Sequence, residues 1–365
     1  MRQIGIALVG LGLMGPVMAQ NGNELWQIVP RHYIAYRTLG PLEIDGKLDE
    51  PAWQRAAWTE AFVDIRGDGS DGAETPRLRT RAKMLWDDTY FYIAADLEEP
   101  HVWATLEQRD AKIYNDNDFE VFIDPDGDTH LYYEFEINAA GTEWDLLLIK
   151  PYRDGAPFVS GWDMAGLRTA VHVWGTINEP HDEDQGWSVE IAMPWRALKE
   201  CANQPVPPRD GDQWRINFSR VQWETQANEK GYTKVKGQAE DNWVWSPQGL
   251  VNMHYPEQWG FVQFSTAAVG KEEAEFKAPP EQEARRVLRR MYYQQRQYRQ
   301  EQGHYTTNLD SLGIDNPVLR DFLWPPQIEA GERFFEAALE EVVDLHQDGK
   351  ISRWFIRQDS KIWKE

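Results

Sequence analysis

The sequence predicts a mainly β protein, a two-layer antiparallel β-sandwich followed by a small α+β appendage. Between Tyr33 and Phe264, short runs of β-branched and aromatic residues alternate with polar ones and are separated by Gly, Pro, Asp and Asn. Helical spacing is clear at Ala284, Val287, Leu288, Met291 and Tyr292, with Gly303 as a stop. The stretch between these regions, 266–281, carries Ala, Lys, Glu and Pro279-Pro280 without either period, and reads as a linker.

In chain order, residues 1–19 have one positive residue, Arg2, a short apolar core and small residues before a cleavage point. That is the pattern of a signal peptide, too short for a membrane span. Residues 79–86 alternate, meet the turn signal Asp87-Asp88, and pair back with 90–95 as a hairpin. Residues 119–124, 132–138, 187–192 and 214–220 share the period of two, as the strands of a sandwich do. Pro194 to Leu198 reads as one helical turn. In the appendage, 282–365, the helix carries Arg285, Arg286, Arg289 and Arg290 on its polar side, read as a solvated face. Two runs flank Gln347-Asp348-Gly349 as a hairpin packed on the helix, and a third ends at Trp363. The sandwich domain is assigned to 20–265.

Composition narrows the function. A net charge of −22, one unit more negative once the leader with Arg2 is removed, repels phosphate backbones and anionic lipid. Cys201 stands alone, so no disulfide forms within the chain. The 18 Trp, 14 Tyr and 14 Phe exceed the needs of a core of this size, which leaves rings to face a ligand. Aromatic rings stack on the apolar faces of pyranose sugars, while their NH and OH groups reach the hydroxyl rim.

Six segments carry a resemblance: IDGKLDEPAW at 44–53, LWDDTYFYI at 85–93, NDFEVFID at 117–124, WSVEIAMPW at 187–195, GDQWRINFSR at 211–220 and HYPEQWG at 254–260. Together the chain resembles family 9 carbohydrate-binding modules. The resemblance implies a β-sandwich that grips sugar between two aromatic rings, commonly with bound calcium. It sets Tyr114 at the first ring, Glu120 at the strand carboxylate that accepts sugar hydroxyls, and Glu99 at an acidic contact. Two positions depart from the pattern: Met253-His254 where the second ring should lie, and Glu136 where the family has an arginine. A compensating ring could come from Trp144, Trp162, Trp223 or Trp245. The candidate carbohydrate-binding set is Tyr114, Glu120, Glu99, Glu136, Ser219, Trp223 and Trp144.

Asp124, Asp126 and Asp128 offer carboxylates at alternate positions, suited to calcium, although Pro-Asp-Gly is a turn signal by itself. A glycoside hydrolase would need two carboxylates about 5–10 Å apart, for which Glu134, Glu136 and Glu190 are strand candidates without a binding motif. No triad or zinc spacing is present. Haem ligation by His172 or Met253-His254 ranks lower, since neighbours in a strand point to opposite faces. The sequence therefore predicts an exported, periplasmic or extracellular protein that binds a poly- or oligosaccharide. The appendage is open to a protein partner.

Overall fold

The computed structural model describes residues 28–229, 231–315, 317 and 319–365, and the expected leader at 1–19 lies outside them. The sandwich strands are β1 His32–Arg37, β2 Thr80–Trp86, β3 Tyr90–Glu98, β4 Asp118–Asp124, β5 Tyr132–Asn138, β6 Glu143–Leu148, β7 Arg168–Trp174, β8 Gly186–Pro194, β9 Gln213–Gln222, β10 Asp241–Val244 and β11 Gly260–Ala268. They pair in the order β6-β5-β4-β9-β11-β1-β2-β3-β8-β7, with β10 branching from β9. The sheet folds over so that its two halves face each other, because Phe119, Phe135 and Phe218 of one half share a core with Ile93, Val189 and Ile191 of the other. Each such side chain contributes roughly 1.5–3 kcal/mol by leaving water. The expected two layers are present, and one feature differs from an antiparallel sandwich: β1 runs parallel to both β11 and β2. The long segment from Arg37 to Thr80 between β1 and β2, and the wide separation of β1 from β11 along the chain, permit this, since parallel neighbours cannot be joined by a tight hairpin.

Alternation points Asp118, Glu120, Phe122 and Asp124 away from the shared core, yet β4 and β5 are buried along their whole length. Loops cover this outer face: Ile65, Ile113, Met253 and Trp259 pack with Phe122, Tyr132 and Leu146 in a second cluster. On the opposite layer, Glu190 of β8 accepts hydrogen bonds from Trp53 Nε1 at 2.7 Å, Gly46 N at 2.8 Å and Asp45 N at 3.0 Å. Two of the six family-like segments are thereby locked together. Gly46 has φ 85°, and a Cβ there would stand 2.6 Å from the His172 backbone nitrogen, so glycine is required.

The long helix Gln282–Gln302 ends at Gly303 in the left-handed conformation. It packs Leu288, Met291 and Tyr292 on Phe335, Leu339, Trp354 and Ile356. Those residues belong to a four-stranded antiparallel sheet of β12 Gln327–Ala330, β13 Phe335–Glu340, β14 Arg353–Arg357 and β15 Ile362–Lys364. The sequence pattern missed β12, four residues following Pro325-Pro326.

One expectation needs correction. The arginine face is not solvated throughout: Arg289 is buried and donates to the Ser360 carbonyl, and Arg285 donates to the Gly127 carbonyl. The helix thus has a second covered side, turned to the sandwich. The linker is also held in place. Ala274 N donates to the Tyr36 hydroxyl at 2.9 Å, Lys277 N to Gln263 Oε1 at 2.9 Å, and Phe276 stacks on His32 at 4.1 Å.

Candidate functional site

Above the covered outer face of β4, β5 and β6, a row of aromatic rings reaches solvent. Tyr114 sits on the single helical turn Ile113–Asn115, anchored from below by buried Ile113 and by Glu136, whose Oε2 accepts the Tyr114 N–H at 3.0 Å. Trp144 of β6 lies 6.3 Å from Tyr114, Phe158 lies 6.3 Å from Trp144, and Tyr152 lies 6.2 Å from Phe158. Tyr114, Tyr152 and Phe158 keep 37%, 41% and 40% exposure respectively, so rings meant for a core would not sit here. Trp223 flanks the other side of Tyr114, donating from Nε1 to the Tyr114 carbonyl at 2.9 Å, with Lys234 Nζ 3.3 Å from the centre of its ring. The indole N–H of Trp144 is buried without a hydrogen-bond partner.

Beneath the rings lies a run of acids. Glu120 and Glu136 face each other across β4 and β5, and Ser219 of β9 pairs with Glu120 from the other side. Burial pushes Glu120 up to about 7, against the lowering contact of the Ser219 hydroxyl. Burial, and then the charge of Glu120, raise Asp118, Glu134 and Glu136 well above the usual carboxylate range.

Not every expected residue belongs to this face. Glu99 is buried and bound to Arg220 at 2.8 Å and to Asn117 Nδ2 at 3.1 Å, so its charge is matched inside the protein. Trp245 is buried in the shared core and Trp162 packs on Tyr133 at 5.0 Å. Of the four rings considered as substitutes, Trp144 and Trp223 flank Tyr114. The position ahead of Pro256 holds His254, which meets the Tyr132 hydroxyl through Nδ1 at 3.0 Å and is pressed edge-on to Tyr152 at 4.3 Å. Burial and the nearby Arg153 push its pKa down to about 3, so the imidazole is neutral. The family's second ring position is thus occupied by a support for Tyr152. Residues 253 and 254 form a bend instead of a strand, so alternation does not separate them. Met253 nonetheless packs into the apolar cluster.

Tyr152 and Phe158 escaped the sequence reading. The available signal was Tyr152 inside the turn-forming run Pro151 to Gly155. The appendage holds that turn: Asp154 accepts from the Tyr292 hydroxyl at 2.5 Å and Arg296 at 2.8 Å. Arg153 is buried against Glu257 at 2.9 Å and lies over the Tyr255 ring at 4.3 Å.

The acidic turn after β4 lies at the same seam. Asp124 accepts from Gly127 N at 2.9 Å and Thr129 N at 2.8 Å, Asp126 from Asn203 Nδ2 at 2.7 Å, and Asp128 pairs with Lys361 at 3.0 Å. Their carboxylate oxygens come within 4.8 Å of one another. Glu190, on the other layer, is committed to the 44–53 segment and takes no part in the outer face.

Residues 44–260 match the family described as carbohydrate family 9 binding domain-like. Among curated proteins, the chain is 28% identical over 167 residues to Exoglucanase XynX of Acetivibrio thermocellus, and 26% identical over 165 residues to Endo-1,4-beta-xylanase A of Thermoanaerobacterium saccharolyticum. Each match covers 45% of this chain and 12% of the longer relative. A family 9 carbohydrate-binding module from Caldicellulosiruptor kristjanssonii, solved in complex with cellotriose, aligns with a TM-score of 0.41 and 14% identity. That alignment spans 67% of this chain and 99% of the module.

Proposed function

The chain belongs to the family 9 carbohydrate-binding domains, and from that premise we propose that its aromatic row binds a glycan chain by stacking and hydrogen bonding. The observation that carries this reading is the row Tyr114, Trp144, Phe158 and Tyr152, with three rings exposed above a floor of carboxylates. Stacking needs flat apolar faces in line along a chain, and the buried N–H of Trp144 together with Glu120 supplies polar groups for hydroxyls. The proposed ligand is a β-1,4-linked glucan or xylan, in keeping with the names of the curated relatives. The proposed setting is the periplasm or the cell exterior, supported by the leader pattern at 1–19. Among the described residues no helix is long and apolar enough to cross a membrane.

The test is titration of the purified chain against cello- and xylo-oligosaccharides, with an array of unrelated glycans beside them. Saturable binding to a β-1,4-linked oligosaccharide supports the reading. Retention of none of the glycans overturns it.

A further inference from the structure

We propose that Asp118, Glu120 and Glu136, with Glu134 beside them, form a binding site for one divalent cation of the calcium class. Oxygens of Asp118, Glu120 and Glu136 all lie within 4.8 Å of one another, and all three residues are buried. Calcium takes oxygen ligands at about 2.3–2.6 Å, so oxygens on opposite sides of one ion stand about 5 Å apart. Oxygens within that limit can share one ion.

Burial supplies the second, independent reason. Asp118 has no solvent exposure and its Oδ2 has no hydrogen-bond partner, and Glu134, 6% exposed, has an unpartnered Oε2. Glu134 and Glu136 are two apart on β5, and Glu120 and Glu136 are cross-strand partners, so the side chains share one face of the sheet. Buried carboxylates ordinarily pair with a cation or bind metal. Among the described residues, no Lys, Arg or His forms an ion pair with any of these four; Arg220, on the neighbouring strand, is taken by Glu99. Glu136, where the resemblance places an arginine, is itself one of the acids of the group. Hard carboxylate oxygens without His or Cys favour calcium or a similar ion over zinc or copper. The turn at 124–128 differs, since its acids meet backbone amides, Asn203 and Lys361. The inference stands whether or not Tyr114 contacts a glycan.

The test is calorimetric titration of calcium chloride into the full chain stripped by chelating resin, with no glycan present. Wild type is expected to show a calcium-binding step that Glu136→Gln and Asp118→Asn weaken about tenfold or more. Asp126→Asn, which alters the separate turn, should leave that step intact. Because a substitution here could unfold the face, wild-type crystals soaked in manganese provide a second measurement. An anomalous peak among Asp118, Glu120 and Glu136 is expected. Absence of calcium binding by wild type, an unchanged step in Glu136→Gln, or anomalous peaks only elsewhere would overturn the proposal.

Discussion

Tyr114 is a surface ring whose backbone is fixed from below, through buried Ile113 and the Glu136 carboxylate, while its side chain remains 37% exposed. Such a residue contributes little to folding, and under the proposed function it stacks on the ligand. Tyr114→Ala is therefore expected to weaken oligosaccharide binding by about 1–3 kcal/mol, the range measured for bases on aromatic platforms, with the melting temperature nearly unchanged. Unaltered affinity in a titration would remove Tyr114 from the site. Glu190 is the opposite case, a carboxyl committed wholly to structure. It accepts three donors from Trp53, Gly46 and Asp45, and the amide of Glu190→Gln would turn a donor toward a donor. The substitution is expected to cost about 1–3 kcal/mol in denaturant unfolding. Burial raises the Glu190 pKa from 4.5 to about 7 despite the lowering hydrogen bonds. The folded state therefore holds this proton more tightly than the unfolded chain. The advantage of wild type over Glu190→Gln should be greatest below pH 4.5 and shrink as pH rises through about 7. A difference that grows with pH across that window would contradict the assignment.

At the scale of elements, the strands of the sandwich and the long helix were legible because period two and period 3.6 are local properties of sequence. What covers each face was not. The polar members of β4 and β5, Glu120, Glu134 and Glu136, alternate as if for solvent, yet they are buried on a face that loops distant in sequence, bearing Ile65, Ile113, Met253 and Trp259, cover. The helix misled for the same reason. Arg285 and Arg289 look solvated on a single helix, and their partners Gly127 and Ser360 belong to other elements. Likewise the nearness of Tyr152 to His254, the position of the family's second aromatic, could not be read from sequence, since the two meet across about 100 residues. The turn Tyr152–Asp154 depends on Arg153, buried between Glu257 and three tyrosines of the loop and helix. Arg153→Met would leave Glu257 charged and without its ion-pair partner in the interior, at an expected cost of about 3–5 kcal/mol. A loss under 1 kcal/mol in denaturant unfolding would show that the seam is not a single packed unit. The sequence suggests calcium at the neighbouring turn of Asp124, Asp126 and Asp128, whose carboxylate oxygens come within 4.8 Å of one another. An ion bound only by the native state stabilises it by mass action, so Asp126→Asn should reduce the fall in melting temperature that a chelator produces. An equal fall in both proteins would remove the ion from this turn.

Taken whole, the molecule places its appendage against the sandwich beside the aromatic row. The helix grips Asp154 through Tyr292 and Arg296, and Ser360, ahead of the last strand, bonds Asp154 at 2.8 Å and meets Thr129 through its carbonyl at 3.0 Å. One consequence is that Tyr152, two residues from Asp154, is presented by contacts reaching nearly to the end of the chain. The strongly negative surface leaves neutral polymers as the natural partners of such a row, since stacking is indifferent to net charge while phosphate would be repelled. A crystal structure of the full chain soaked with a cello- or xylo-oligosaccharide tests this account most directly. The expected result is sugar rings lying flat on Tyr114 and Tyr152, with hydroxyls directed toward Trp144 Nε1 and Glu120. Sugar density found only in the cavity of about 730 Å³ between sandwich and appendage, lined by Phe261, Trp354 and Trp363, would contradict it.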